Sequence, residues 1–470
     1  MPELSYRGHK PEEEEETQFT PRSPQGGLTR LFHYLTGTPR NRFKFAYMGG
    51  LIFLWWFTAF VMERAYPSFK VSQCDWSGWE QWTDKNQAYR VALVADPQLV
   101  DDHTYPGRPA SMMRLTEFVV DNYLRRNWVY IQKNLVPDTT IFLGDLFDGG
   151  RAWKDDKWYP ELDRWNRIFS LDPGQDVVWS LPGNHDIGYG DEIVPHALKR
   201  FEKHFGPLSR EFDRGNHTFV QIDTISMENK NDSRIYEPPQ EFVEEFRASQ
   251  PRDKPTIVLT HVPFFRSEEN SDCGRQREKG KKLSYTVGHQ YQTQLEPAVT
   301  NKLLTAVNPV LVYSGDDHDA CHVTHPYVFN GKNQVAHEYT VKSISMAMGI
   351  NKPGIQLLSL NTNGEAQSYQ TTICLMPNPF APFIAYGVVG ISSLIFLALV
   401  HYFPASLSGL TQKFRYHPLD EHILPVSSKP TVFNRFSRHV TKAFFKDIGV
   451  VLLAMVVIFW YFFTSIYWHT

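Results

Sequence analysis

The feature that most restricts this chain is a succession of five short apolar runs, each broken off by a residue able to bind a metal. Residues 90–95 (RVALVA) lead into Asp96-Pro97-Gln98, and residues 139–143 (TTIFL) into Gly144-Asp145-Leu146-Phe147-Asp148. Residues 177–181 (VVWSL) lead into Pro182-Gly183-Asn184-His185-Asp186. Residues 256–260 (TIVLT) end at His261, and residues 310–314 (VLVYS) at Gly315-Asp316-Asp317-His318. Runs of this length, rich in β-branched residues and bounded by turn formers, predict buried strands. Met112, Leu115, Phe118 and Val119 stand at helical spacing and predict a helix over 111–134. A shorter helix is expected over 239–249, and two later runs, 336–344 and 355–360, are expected to build a second sheet. The alternation implies a layered α/β fold, and such sheets bind ligands at the carboxyl ends of their strands. One Asp or Asn at a strand end is an ordinary turn residue or helix cap. Five metal-binding strand ends in a row, with glycines beside them, are not explained that way.

The residue types define the chemistry. Carboxylates, an amide and imidazoles without thiolate suit Mn, Fe, Zn or Mg rather than copper or iron–sulfur centres. They are too many for one ion, and paired ions clamp the attacking and leaving oxygens of an in-line displacement at phosphorus. The ordered pieces D-x-x, GD-x-x-D, GNHD, H and G-x-x-H resemble the calcineurin-like metallophosphoesterase superfamily over residues 88–360. The family pattern has D-x-H where this chain has Asp96-Pro97-Gln98, and G-H-x-H where it has Gly315-Asp316-Asp317-His318. These departures, with SGDDHDAC, GHQYQTQL and the flanking apolar segments, are similar to a membrane-bound branch. That branch removes ethanolamine phosphate from glycosylphosphatidylinositol (GPI) anchors, and the likeness is to its fungal members.

The resemblance implies a four-layer β-sandwich flanked by helices and a site of two divalent ions. Asp96, Gln98, Asp145 and His318 would hold the first ion, with Asp145 bridging to a second held by Asn184, His261 and Asp316. His185 would be the acid that protonates the leaving oxygen, with Asp148 fixing its tautomer. Gln98 and Asp316 in place of imidazoles make the set harder, which favours Mn²⁺ while accommodating Zn²⁺ or Fe. The implied substrate is a GPI glycolipid or GPI-anchored protein.

Three uncharged stretches frame this region, and three transmembrane helices are expected. Residues 45–62 follow Arg40, Arg42 and Lys44, so their start is assigned to the cytosol as a retained signal anchor. Residues 380–403 and 448–468 are the other two. The expected organisation is a cytosolic tail over 1–44, a lumenal catalytic domain over 63–379 and a cytosolic loop over 404–447. That loop carries Lys413, Arg415, Lys429, Arg435, Arg438, Lys442 and Lys446, again placing positive charge in the cytosol. The sequons at Asn216 and Asn231 both fall in the lumenal part, as expected of a glycoprotein. The layout implies an endoplasmic reticulum membrane protein, with the Golgi as the alternative compartment. Cys74, Cys273, Cys321 and Cys374 all lie on the oxidising side. Cys74 and Cys374 adjoin the first two spans and are expected to pair, leaving Cys273 for Cys321. A formal net charge of −3 argues against nucleic acid as a partner, which needs a strong basic surplus. Membrane lipid is the expected environment.

Other features receive plainer readings. His103, His204, His289, His322, His325 and His337 are taken as satisfied surface or core residues, with His289 and His322 the best candidates to support the site. The run over 275–282 (RQREKGKK) reads as a solvated loop. Trp76, Trp79 and Trp82 are either an interfacial belt or one packed face. Two further functions stay open on the sequence: a lumenal phosphatase or phosphodiesterase for nucleotides or phospholipids, and a non-catalytic membrane scaffold that kept the fold.

Overall fold

Val91 and Leu93 alternate with Ala92 and Val94 along a strand that is buried on both faces, so this strand must lie between two layers. The computed structural model, which describes residues 39–84, 87–250, 252–267, 269, 271–362, 368–403 and 438–466, shows those layers. The strands are β1 (Ala88–Val94), β2 (Thr139–Phe142), β3 (Val177–Val178), β4 (Arg210–Arg214), β5 (His217–Gln221) and β6 (Thr256–Leu259). They continue as β7 (Val287–Gly288), β8 (Tyr291–Gln292), β9 (Leu311–Ser314), β10 (Cys321–Phe329), β11 (Lys332–Thr340), β12 (Gly354–Asn361) and β13 (Tyr369–Leu375). One sheet has the order β13-β12-β1-β2-β3 and the other β10-β11-β9-β6-β5-β4, while β7 and β8 form a small hairpin.

The two large sheets bury a shared layer. Val91, Leu93, Ile141 and Leu358 from the first meet Phe219, Ile257, Leu259, Leu311 and Tyr313 from the second. The alternate residues face outward and are covered by helices. Phe142 meets Trp128 of helix α1 (Ala110–Tyr130) and Trp165 of helix α2 (Asp155–Ile168), with ring centroids 5.7 and 5.4 Å apart. Val220, Val258 and Val312 belong to the same core as Val243 and Phe246 of α3 (Ser233–Ala248) and Leu303 and Val307 of α4 (Pro297–Val307). The result is the helix–sheet–sheet–helix sandwich expected.

Three expectations need correction. The later runs do not make a sheet of their own. Residues 336–344 contribute to β11, parallel to β9, and residues 355–360 to β12, antiparallel to β1. The five ligand-bearing strands are therefore divided, β1 to β3 in one sheet and β6 and β9 in the other. Residues 177–181 pair only over Val177–Val178, because β3 is an edge and Ser180 instead bonds Gln221 of β5. Finally, Met112, Leu115 and Phe118 do not pack the core side of α1. They are 57%, 63% and 44% exposed, while Met113, Val120, Leu124 and Trp128 turn inward. The helix carries two apolar stripes, and spacing alone does not say which one faces the sheet.

Three helices are long and apolar enough to cross a membrane, over Lys44–Ser72, Ala381–Tyr402 and Val440–Ser465, and they mark the chain as a membrane protein. The first runs past the expected end through a π-turn, Val61–Ala65. Glu63 is tolerated there because Arg126 and the Tyr386 hydroxyl both donate to it. The described chain forms two units, one of residues up to 53 with 393–452 and one of 54–392 with 453–470. In the first, buried Asp447 accepts from Lys44 and Tyr47 and lies 3.1 Å from His401 Nε2. In the second lie both sheets. Both disulfides form as expected, Cys74–Cys374 and Cys273–Cys321. Trp76 and Trp82 are buried, donating to Leu135 O and Ser359 Oγ, so this run packs against the domain. The acidic tail and residues 404–437 of the basic loop lie outside the described residues.

Candidate metal centre

Most of the ligand candidates stand at a turn made within two or three residues of the end of their strand. Asp96, Gln98, Asp145, Asp316 and His318 all have positive φ, between 41° and 66°. This region is costly for side chains other than glycine and clusters at functional sites. Glycine supplies the remaining room. A Cβ on Gly183 would lie 2.0 Å from Asp145 Oδ1, and one on Gly144 2.5 Å from His261 Nδ1.

These turns bring all seven predicted ligand residues into one buried region. Oxygens of Asp96 and Asp145 and a ring nitrogen of His318 lie within 4.8 Å of one another. His261 Nε2 is 3.3 Å from Asn184 Oδ1, 3.5 Å from Asp145 Oδ1 and 3.6 Å from Asp316 Oδ1. Its Nδ1 is 2.7 Å from Leu143 O, which fixes the proton there and leaves Nε2 as a lone pair facing the carboxylates. Asn184 Nδ2 donates to Gln290 O at 3.0 Å, so its amide oxygen is turned inward. Asp96 Oδ2, Gln98 Oε1 and Asp316 Oδ2 are buried without a hydrogen-bond partner among the described residues. Buried polar atoms are normally satisfied, and orphaned oxygens beside a lone-pair nitrogen are the donor set a divalent cation requires. The residues present therefore fit a metal centre.

Comparison with known proteins decides the family. The calcineurin-like phosphoesterase family matches residues 89–320. Cell division control protein 1 of Saccharomyces cerevisiae is 42% identical over 386 residues, covering 79% of this chain and 77% of that protein. Metallophosphoesterase 1 homolog of Caenorhabditis elegans is 27% identical, covering 59% of this chain and 74% of that protein. Metallophosphoesterase 1 of Mus musculus is 28% identical, covering 57% and 68%. The chain belongs to the metallophosphoesterase family. It is a metal-dependent phosphoester hydrolase.

Electrostatics in this metallophosphoesterase divide the site in two. Burial, then the charges of Asp145 and Asp316, pushes the Asp96 carboxyl well above its ordinary range. Burial and Asp145 do the same to Asp316. Burial, then Lys279, lowers His318 to about 3, so its imidazole is neutral, the form that coordinates metals. His185 goes the other way. Burial alone would lower it, but the Asp145 charge and the Asp148 hydrogen bond raise it to about 9. Asp148 is its counterpart: burial alone would raise it, but His185, Thr104 and His103 hold it down to about 2. His185 Nδ1 lies 2.8 Å from Asp148 O and 3.2 Å from Asp148 Oδ1, which leaves Nε2 to carry the exchangeable proton.

Several contributors escaped the sequence reading. His103, treated as an ordinary histidine, places Nδ1 3.2 Å from Asp148 Oδ2, and Thr104 Oγ1 donates to the same oxygen at 2.8 Å. Nothing in the local sequence marks His103, since the fold alone brings it to Asp148. Asp186 accepts from the backbone N–H of Gly183, Leu146 and Phe147 at 2.9–3.1 Å, tying the second strand-end loop to the third. Its place in GNHD was a usable signal. The basic run is anchored after all: Arg277 pairs with buried Asp317, and Lys279 Nζ donates to Asp317 O at 2.9 Å. His289 instead bonds Glu192 at the surface, and His322 stacks on Tyr339 with centroids 4.3 Å apart, so neither supports the ligands.

Proposed function

We propose that this metallophosphoesterase is a two-metal phosphodiesterase that removes ethanolamine phosphate from a mannose of GPI anchors, in the lumen of the early secretory pathway. What carries the reading is the protonated His185–Asp148 pair set against buried, oxygen-rich ligands. A sugar alkoxide is a strongly basic leaving group, and its departure needs a proton delivered at that side. Asp96, Gln98, Asp145 and His318 would hold one ion, and Asp145, Asn184, His261 and Asp316 the other, with Mn²⁺ favoured by the hard donor set. When bound, such ions activate the attacking water and neutralise charge on the phosphoryl oxygens.

The chain's own residues do the rest. Asp148 orients His185 and, together with the Asp145 charge, favours its imidazolium, and His185 Nε2 donates to the leaving oxygen. Lys279, close enough to bias Asp96, Asp316 and His318, offers positive charge to the phosphate. The similarity to metallophosphoesterase 1 proteins and the spanning helices favour a membrane-held substrate over a free nucleotide. The test is release of ethanolamine phosphate from a GPI glycolipid by purified full-length protein with Mn²⁺, beside His185→Ala and Asp145→Asn. Release by wild type alone supports the reading. Cleavage of an aryl phosphodiester but not of the glycolipid would assign the chain to another phosphoester.

A further inference from the structure

The outward stripe of α1 does not face open solvent on all sides. Phe118 packs on Phe463 of the third span with centroids 5.1 Å apart. Beside it lies a cleft of about 280 Å³ lined by Leu115, Val119 and Val120 of α1, Met346 and Ala347, Tyr105, and Phe383 of the second span. Two of its walls follow in sequence residues that contact the candidate site. Tyr105 follows His103 and Thr104, which contact Asp148, and this loop is pinned by Asp101, which accepts from the His103 and Thr104 N–H. Met346 follows Ser343, whose hydroxyl donates to Asp96 O at 2.7 Å. The other walls are mostly apolar, and one of them, Phe383, belongs to the second span. Next to it, the Arg108 guanidinium lies 3.7 Å from the centroid of the Tyr105 ring and donates to Thr116 at 2.9 Å, both residues of the cleft.

We propose that this cleft holds an acyl chain of the lipid that carries the phosphoester, with Arg108 beside the lipid's own phosphate. The occupant follows from the surroundings: a largely apolar cleft walled in part by the second span, a cation in contact with two of its residues and able to pair with a lipid phosphate, and a loop shared with the candidate metal centre. The exposed Met112, Leu115 and Phe118 then rest in the bilayer interface, as the apolar face of an interfacial helix does. The metallophosphoesterase thus selects substrates by their lipid as well as their phosphoester. This deepens the proposed function and rests on it for the identity of the polar part alone.

The test uses full-length protein in vesicles, with the glycolipid compared to the same glycan after deacylation. Leu115→Ser, a change at an exposed position, and Val119→Trp, which fills the cleft, are examined beside wild type. We expect kcat/KM about tenfold or more in favour of the acylated substrate, the equivalent of two buried methylenes, and a ratio falling toward one in both variants. Equal cleavage of the two forms by wild type, or a ratio unchanged in the variants, overturns the cleft while leaving the proposed function standing. A second readout is independent of turnover: phosphatidylinositol bearing a diazirine in its acyl chain, photolysed in the vesicles. Labelling at Tyr105, Val119 or Met346 that Val119→Trp suppresses supports the cleft, even if the glycolipid is not cleaved. Labelling confined to the spanning helices refutes it.

Discussion

Replacing Asp148 by Asn separates the two things that carboxylate does for His185. In the metal-free protein His185 sits at about 9, so at pH 7 about 99% of it is imidazolium, since each pH unit is a factor of ten. Without the carboxylate, the Asp148 hydrogen bond and charge are gone while the larger effect of the Asp145 charge remains, so His185 falls below about 9 and a smaller share of it is protonated at pH 7. Loss of protonated population therefore lowers activity at pH 7 and above, and the loss of orientation at Nδ1 adds to it. Bound cations lower His185 in both proteins and leave the sign of the difference unchanged. His185→Gln removes the acid altogether, which costs about 10²–10⁴-fold, or about 3–5 kcal/mol of barrier, where the leaving group is an alkoxide. A p-nitrophenolate leaves without help, so the same variants should lose about tenfold or less on its diester. The assay is kcat/KM across a series of phosphodiesters of rising leaving-group pKa, at pH 6, 7 and 8. Asp148→Asn should recover activity toward pH 6, whereas His185→Gln should not. A loss that is uniform across leaving groups would refute the assignment of His185 as acid and return it to a structural part.

The remaining predictions concern metal and stability. Asp316→Asn should reduce bound metal, measured by elemental analysis, yet raise the melting temperature of metal-free protein by the equivalent of about 1–2 kcal/mol. The sign follows because burial and Asp145 raise the Asp316 carboxyl, so ionising it at pH 7 favours unfolding. Glu338→Gln should destabilise the domain by about 3–5 kcal/mol, read by thermal unfolding. It would leave buried Arg266, now 3.1 Å from the Glu338 carboxylate, without its charge partner. Burial alone would raise Glu338, but Arg266 and the His325 hydrogen bond hold it below its usual 4.5. Its contribution is therefore present above about pH 4.5 and is lost as pH falls through the lower folded value. Cys74→Ser opens a link across 300 residues. Chain entropy puts the loss at about 6 kcal/mol, less whatever the spanning helices retain, and a thermal melt in detergent against vesicles separates the two.

Much of the site was legible because its chemistry is written as contiguous motifs at strand ends. GDLFD and PGNHD place Asp145, Asn184 and His185 whatever the sheet order, since each strand has one carboxyl end and side chains just past it share one edge. The apolar spans and the cysteines beside them were legible for a similar reason: membrane thickness sets a length, and the ends of two spans carry Cys74 and Cys374 to one place. Whether β6 and β9 share a sheet with β1 was not legible. Short, doubly buried strands carry no alternation to indicate a partner, and pairing is settled by which inner faces fit, here Phe219 and Tyr313 against Leu93 and Leu358. The two stripes of α1 were indistinguishable by period, and only docking on Phe142 chose Trp128 and left Leu115 outside.

The sequence by itself determined the reaction class, the candidate ligand residues brought together and the apolar spans, because these depend on residue type and local order. The tertiary structure alone decided what surrounds them. His103 reaches Asp148 across 45 positions, Arg277 leaves solvent to pair with Asp317, and Tyr105, Met346 and Phe383 close a cleft beside the ligands. Those arrangements depend on distances between strand-end loops, and such distances exist only once the two sheets have packed.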